Sequence, residues 1–328
     1  MDKPVIGILG FSDGDAAAHK MLAPVIQKQI DVIAEALNKD GRVDIIKASD
    51  IVHSDKTAKT LAEELRNKNV DGTIFVNAVF AFPVFSVIAA KYGKGPFLVA
   101  APIYPDWPGM VSMLASGGGL DHEGIDHFRV AGDFNDPEIL DKTVNFAKCA
   151  KVVNRLNGQK YGLIGGRSLG MYSTTVSMQQ WMEKFGIDVE HIDQLEIVRR
   201  ADDIDDAQVE KAFQWLTDHI GKIEYNDTSF TPEKLKTQIR HYEATRQIIE
   251  DNELDFIGVK CHYEMSAHYC TQCLSAAFLN DPYDWNGPKQ PFVCACEADS
   301  DAALTMQILK MLTGDPVIFM DVRHWDQE

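Results

Sequence analysis

Residues 291–321 read PFVCACEADSDAALTMQILKMLTGDPVIFMD: an apolar run, a stretch of helical spacing and a second apolar run. A strand, a crossover helix and a second strand form the repeating unit of a parallel sheet. Asp299 or Ser300 is placed to cap a helix over 301–312, and Thr313-Gly314 to end it. The spacing therefore predicts neighbouring parallel strands at 291–296 and 316–320. Each run finishes on a carboxylate, Glu297 and Asp321. Ligands of open α/β sheets bind outside the carboxyl ends of the strands, so both acids are candidate site residues. Glu297 would precede a helix N-terminus, whose dipole favours the ionised form. Two ionised carboxylates on adjacent strands repel, and a divalent cation between them removes the conflict. Oxygen ligands suit Mg²⁺ or Mn²⁺. The plainer alternative has each acid capping a turn or pairing with Arg323 or Lys260.

The same rhythm runs upstream. VIGILGF (5–11), VDIIKA (43–48), GTIFVNAVF (72–80) and PFLVAAPI (96–103) read as strands, with helical periodicity over 16–38 and 56–68. PDWPG and ASGGGLDHEG mark 104–133 as irregular before a short strand at FRVAGDF (128–134). A helix over about 136–155 then leads into a second unit, with strands at YGLIGG (161–166), IDVEHI (187–192) and DFIGVK (255–260). GGRSLG (165–170) reads as opening a helix that runs to 185, and CHYEMSAHYCTQCLSAAFL (261–279) as one helix. The expected architecture is α/β: two consecutive Rossmann-like domains, 1–155 and 156–328, each a parallel sheet flanked by helices.

Polar residues collect at the strand ends of the second unit: Arg167 and Ser168, then Lys260, His262 and Glu264, then Glu297 and Asp299, then Asp321 and Arg323. Rival motifs are weaker. Cys270-x-x-Cys273 stands alone, inside what reads as an amphipathic helix, so buried thiols are expected rather than zinc or a redox pair. GGRSLG lacks the G-x-G-x-x-G spacing of a dinucleotide loop, although its backbone N–H groups could cradle an anion or a sugar hydroxyl. No G-x-x-x-x-G-K-[ST] or G-x-S-x-G is present.

Acidic residues outnumber basic ones, 49 to 32, for a net charge of −17. Such a surface repels phosphate backbones, so no nucleic-acid partner is expected. No apolar run approaches the roughly 18 residues of a membrane span, and the start MDKPVIGILGF lacks a signal-peptide pattern. Five of the six cysteines fall after residue 260, and in a large intracellular protein buried thiols or a metal site are expected over disulfides. The expectation is a cytoplasmic protein.

DWNG (284–287), the block from PFVCACEAD to FMDVR (291–323), KCHYEMS (260–266) and GGRSLGM (165–171) together resemble the L-fucose isomerase family, related to the arabinose isomerases. The resemblance covers most of the second unit; over 1–150 it rests on architecture. It implies two Rossmann-like domains followed by a β-barrel-like domain, expected to begin where this chain ends and to supply a histidine ligand. It also implies aldose–ketose isomerisation with Mn²⁺ held by Glu297 and Asp321, a small-molecule sugar substrate, and a homo-oligomer, trimeric or hexameric. Arg167, Ser168, Lys260, Glu264 and Phe80 are the candidate substrate contacts. Fucose isomerases carry an arginine just after the first strand, whereas GILGFSDGD (7–15) has no basic residue; a different aldose is therefore in play.

The leading expectation is a metal-dependent isomerase working through an enediol, in which one carboxylate shuttles the proton between two carbons. The alternative is a non-catalytic sugar-binding protein built from two Rossmann-like domains. A third is a scaffold whose carboxylates merely cap turns.

Overall fold

Strand and helix alternate from the first residues in the computed structural model, which describes residues 2–103, 106–226, 228–322 and 324–326. The chain divides into two compact units, Met1–Asn154 and Arg155–Glu328.

In the first unit the elements run β1 (Val5–Gly10), α1 (Ala16–Asp40), β2 (Asp44–Lys47), α2 (Asp55–Asn67), β3 (Gly72–Val76), α3 (Pro83–Tyr92), β4 (Phe97–Pro102), α4 (Gly109–His122), β5 (His127–Gly132) and α5 (Pro137–Leu156). The sheet order is β2-β1-β3-β4-β5, and every pairing is parallel. Alternation along the strands divides the core. Ile6, Ile8, Ile74, Val76, Leu98 and Ala100 pack with Ile26 and Ile33 of α1 and Ala147 of α5. Leu9, Phe75, Phe97 and Val99 point the other way, toward Leu61 and Leu65 of α2, Phe85 of α3 and Met113 of α4. Asp15 starts α1 by accepting from the amides of Ala17 and Ala18 at 3.0 and 2.9 Å.

Helix α4 corrects the expectation of an irregular 104–133. Its glycines are not loop residues but permit close packing. A Cβ on Gly117 would stand 2.4 Å from the Arg129 guanidinium, and one on Gly109 2.5 Å from the Asn77 carbonyl oxygen. A helix seated this tightly on β5 and the end of β3 is more stable than its propensity indicates.

The second unit continues with β6 (Lys160–Ile164), α6 (Met178–Phe185), β7 (Asp188–Ile192), α7 (Leu195–Asp202), α8 (Asp206–His219), α9 (Pro232–Asp251), β8 (Phe256–Val259), α10 (Glu264–His268), α11 (Cys273–Asn280), a two-residue hairpin of β9 (Tyr283–Asp284) and β10 (Gly287–Pro288), β11 (Cys294–Cys296) and α12 (Ser300–Thr313). The main sheet is parallel, in the order β11-β8-β6-β7. Its winding repeats that of the first unit: strand one at the centre, strand two on one side, strands three and four on the other. The fold is thus two consecutive Rossmann-like α/β units, as expected. Tyr161, Trp181 and Phe256 stack on the face toward α6, with ring centroids 5.0–6.2 Å apart. Ile164, Ile257, Val259 and Cys294 line the other face against Ile197, Leu216, Tyr242 and Ile248. Trp285 of the DWNG segment is buried and donates its indole N–H to Glu243 at 2.9 Å, while the Tyr242 hydroxyl donates to Asp284 at 2.6 Å.

Three expectations are revised here. Residues 165–177 form a loop of turns, and the helix after it begins only at Met178. The 261–279 stretch is two helices separated at Tyr269–Gln272, so Cys273 opens α11 instead of lying mid-helix. Most consequential, 316–320 is not a strand. The segment is irregular, with Ile318 78% and Met320 71% exposed. The outer edge of β11 shows why. The Asn280 side chain accepts from the Cys294 amide at 3.2 Å and donates to the Cys294 carbonyl at 2.8 Å. One carboxamide thereby makes both hydrogen bonds that a fifth strand would have made there. α12 itself forms as expected, with Asp299 accepting from the Ala302 amide at 3.0 Å and Gly314 left-handed at the C-cap.

Candidate functional site

Three strand ends converge on Glu297. β6 leads into the loop carrying Ser168, β8 runs through Lys260 into Cys261 and His262, and β11 runs directly into Glu297. The register Cys296↔Val259 sets the last two ends side by side. Strands one and three of this winding are β6 and β8, and the crevice at their carboxyl ends is where such sheets bind ligands.

The carboxylate is held by four donors. Ser168 Oγ donates to Oε2 at 2.6 Å, and the backbone amides of His262 and Cys261 donate to the same oxygen at 3.1 and 3.4 Å. Cys261 Sγ donates to Oε1 at 2.9 Å, and Cys296 Sγ lies 3.9 Å from that oxygen. Burial opposes ionisation of Glu297, but the bonds from Cys261, Ser168 and the His262 and Cys261 amides outweigh it and hold the carboxyl below its usual range. The stabilising donors come from the β8 end and the β6 loop rather than from the α12 dipole that the sequence pointed to. The neighbouring thiols respond oppositely: burial and then the Glu297 charge push Cys261 well up, and Cys296 rises to about 11 from burial, Glu297 and further groups that include Asp321.

Glu297 and Ala298 are successive left-handed residues, with φ of 53° and 57°. That conformation is unfavourable for side chains with a Cβ. It turns the backbone sharply between β11 and α12, and Ala298 is fully buried beneath it.

Asp321 sits apart from this cradle. With Pro316–Met320 it forms one wall of a cleft of about 630 Å³, opposite Cys273, Ala276, Ala277 and Asn280 of α11, and Cys296 also lines the cleft. Both carboxylates therefore act on the surroundings of one residue, Cys296, from separate segments. Arg323 lies outside the described residues. Among the described residues, one group of three metal-ligating side chains gathers its donor atoms within 4.8 Å: Cys261, His262 and Glu297. Asp321 is not a member of it. Sequence reasoning noticed His262 at a strand end but named neither it nor Cys261 as a site residue. The available signal was that both lie just past the end of β8, beside the strand that leads into Glu297.

The other candidates lie as follows. Lys260 forms an ion pair with Glu264 at 2.9 Å, and this bond holds the Glu264 carboxyl below its usual range. Both line a second cleft of about 430 Å³ with Gly165, Gly166, Asp193 and Gln194. Arg167 is turned onto its own loop: Nε donates to the Met171 carbonyl at 3.1 Å, a second nitrogen donates to that of Gly170, and the guanidinium stacks on Tyr172 at 4.8 Å. Phe80 belongs to the first unit, where it meets Phe82 edge to face at 6.5 Å. Among the described residues no helix is long and apolar enough to cross a membrane.

An oxygen-bound divalent cation has a basis in this donor set. Glu297, already held ionised, is one such oxygen ligand, and hard cations prefer carboxylates; Asp321 stands on the separate cleft wall.

Comparison with known proteins agrees along the chain. Residues 3–158 match the family model described as L-fucose isomerase, first N-terminal domain. Residues 159–253 and 252–314 match the one described as L-fucose isomerase, second N-terminal domain. An L-fucose isomerase of Bacteroides fragilis is 27% identical over 99% of this chain and 62% of its own length. Those of Vibrio vulnificus and Haemophilus influenzae are 28% and 27% identical over 67% of this chain and 43% of theirs. The chain thus spans about three fifths of the Bacteroides relative, and its match to the other two covers less than half of them.

Proposed function

The chain belongs to the L-fucose isomerase family, and on that premise we propose that it serves a metal-dependent aldose–ketose isomerase acting on a free sugar. The observation that carries this reading is the Glu297 cradle: a carboxylate fixed at the carboxyl end of a parallel sheet by Ser168 and two backbone amides.

Isomerisation moves a hydrogen between C2 and C1 of the sugar. Glu297 and Asp321 would hold a divalent cation, Mn²⁺ by preference. When bound, that ion supplies Lewis acidity at the sugar oxygens. One carboxylate of the pair would take the proton from C2 and return it to C1, while the O2 hydroxyl proton passes to O1. Glu297 enters the reaction ionised, as a proton acceptor must. The bonds from Ser168 and the β8-end amides all fall on Oε2 and fix the carboxylate's orientation, so that any proton transfer falls to a positioned oxygen. Lys260, Glu264 and Arg167 are the proposed substrate contacts, and assembly as a homo-oligomer in the cytoplasm completes the reading; light scattering of the purified protein checks the assembly.

The test is ketose formation by the full-length gene product from a panel of aldoses, L-fucose and L-arabinose included, with and without Mn²⁺. Activity that requires Mn²⁺ and falls about 10²–10⁴-fold in Glu297→Gln is expected. Sugar affinity that is independent of Mn²⁺ and unaccompanied by turnover would replace this reading with that of a sugar-binding protein.

A further inference from the structure

We propose that Cys261, His262 and Glu297 form a binding site for a thiophilic divalent cation, Zn²⁺ foremost, distinct in its donors from the two-carboxylate site proposed above but sharing Glu297 with it.

The site is built from elements that are rigid for other reasons. Cys261 and His262 follow β8 one residue after its end, Glu297 is the residue that leaves β11, and the ladder between the strands sets the two ends side by side. One thiol sulfur, one imidazole nitrogen and one carboxylate oxygen lie within 4.8 Å of one another. This is the donor mixture that Zn²⁺ accepts, with three protein ligands and a fourth position open to water. The two oxygens of Glu297 are not equivalent. Oε2 is engaged by a hydroxyl and two amides. The hydrogen-bonding groups around Oε1 are thiols: Cys261 at 2.9 Å and Cys296 at 3.9 Å. A cation entering at Oε1 therefore meets sulfur, which selects soft or borderline ions over Mn²⁺ or Mg²⁺.

The supporting shell is in place as well. Ser266 Oγ lies 3.1 Å from both the Tyr263 carbonyl and His262 Nδ1; donating to the carbonyl, it acts as acceptor toward Nδ1. In that arrangement the imidazole proton is on Nδ1 and Nε2 keeps its lone pair for a metal. A hydrogen-bonded second nitrogen and an anchored carboxylate are what oriented metal ligands require. On binding, the Cys261 S–H bond breaks, its proton passes to solvent and a sulfur–zinc bond forms, with no change of oxidation state. Because Glu297 is common to both sites, Zn²⁺ would displace Mn²⁺; this consequence alone rests on the isomerase reading.

The experiment uses the whole chain, freed of metal by chelation. Co²⁺ serves as a spectroscopic stand-in for zinc, and Zn²⁺ affinity is measured in competition with a chromophoric chelator. A thiolate-to-cobalt charge-transfer band in the near ultraviolet is expected, bleached by Zn²⁺. It should be lost in Cys261→Ser, with Zn²⁺ affinity falling at least as far as the roughly 10–100-fold typical of outer-shell changes. Ser266→Ala, which touches no metal, should weaken Zn²⁺ by about tenfold at the low end of that range. Cys273→Ser, at an exposed thiol, should change neither. If Cys261→Ser fails to fold by circular dichroism, His262→Gln carries the same prediction for Zn²⁺ affinity. Co²⁺ bound without the band, or Zn²⁺ affinity that follows Cys273 instead of Cys261, overturns the proposal. The readouts need no substrate, so inactivity on every aldose would sink the isomerase reading while the band still decides this one.

Discussion

β5 of the first unit and residues 316–320 of the second stand at the same point of one winding. β5 adds to β4 through six register pairs, Phe97↔His127 to Pro102↔Gly132, and completes a five-stranded sheet. PVIFM follows the fourth strand and its helix in the same way yet belongs to no strand, and its sheet stops at four. By composition PVIFM is a better strand than HFRVAG. The difference lies in what each was offered. The outer edge of β4 presents open backbone groups, whereas at Cys294 the edge of β11 is taken by the Asn280 carboxamide. Propensity proposes a strand; an unsatisfied edge accepts it.

Four substitutions press on that contrast. The largest effect belongs to the completed sheet. Phe75→Ala empties a fully buried site between Phe11 and Phe97, whose ring centroids lie 5.0 and 4.9 Å away, and should cost about 3–5 kcal/mol by urea unfolding. A loss below roughly 1 kcal/mol would show that this core is not what holds the first unit. Asn280→Ala comes next. It strips both partners from the fully buried Cys294 and should cost about 1–3 kcal/mol. Unchanged stability, with protected amides at 317–320 by hydrogen exchange, would mean that PVIFM had taken the vacated edge.

The third test concerns what holds the end of β11 in the absence of a fifth strand. The folded Glu297 carboxyl lies below its usual range, because the bonds from Cys261, Ser168 and the β8-end amides outweigh the opposing effect of burial. Its stabilisation is therefore present above the unfolded value near pH ~4.3 and is lost as the pH falls through the folded value. The urea-midpoint gap between the protein and Glu297→Gln should narrow from pH 7 to pH 3; a constant gap would show that ionisation contributes nothing. The smallest effect is expected at Ile318→Ser. This side chain is 78% exposed, and its loss should stay within about 0.5 kcal/mol. A larger loss would give the segment a packing role that its exposure denies.

Most of the architecture was legible because buried parallel strands and amphipathic helices announce themselves locally: VIGILG, GTIFV and FLVAAP needed no partner to be read. The errors arose where structure depends on distant groups. α4 was hidden because Gly117 reads as a breaker until Arg129 is seen pressed against it. PVIFM was misread because Asn280, 36 residues earlier than Pro316, decides its fate. For the candidate site, Glu297, Ser168 and the role of strand ends were visible in the order of residues. Its convergence with Cys261 and His262 was not, since it follows from the register of β8 with β11.

The Asn280 amide also bears on how the protein behaves in company. A short parallel edge beside an apolar segment with Ile318, Met320, Val322 and Trp325 all exposed is the kind of surface on which a second chain can nucleate β-pairing. A single side chain answers the backbone at that edge before another molecule does. Its removal would then register as turbidity in concentrated solution alongside the lowered unfolding midpoint, and colloidal behaviour would be a second gauge of what this residue does.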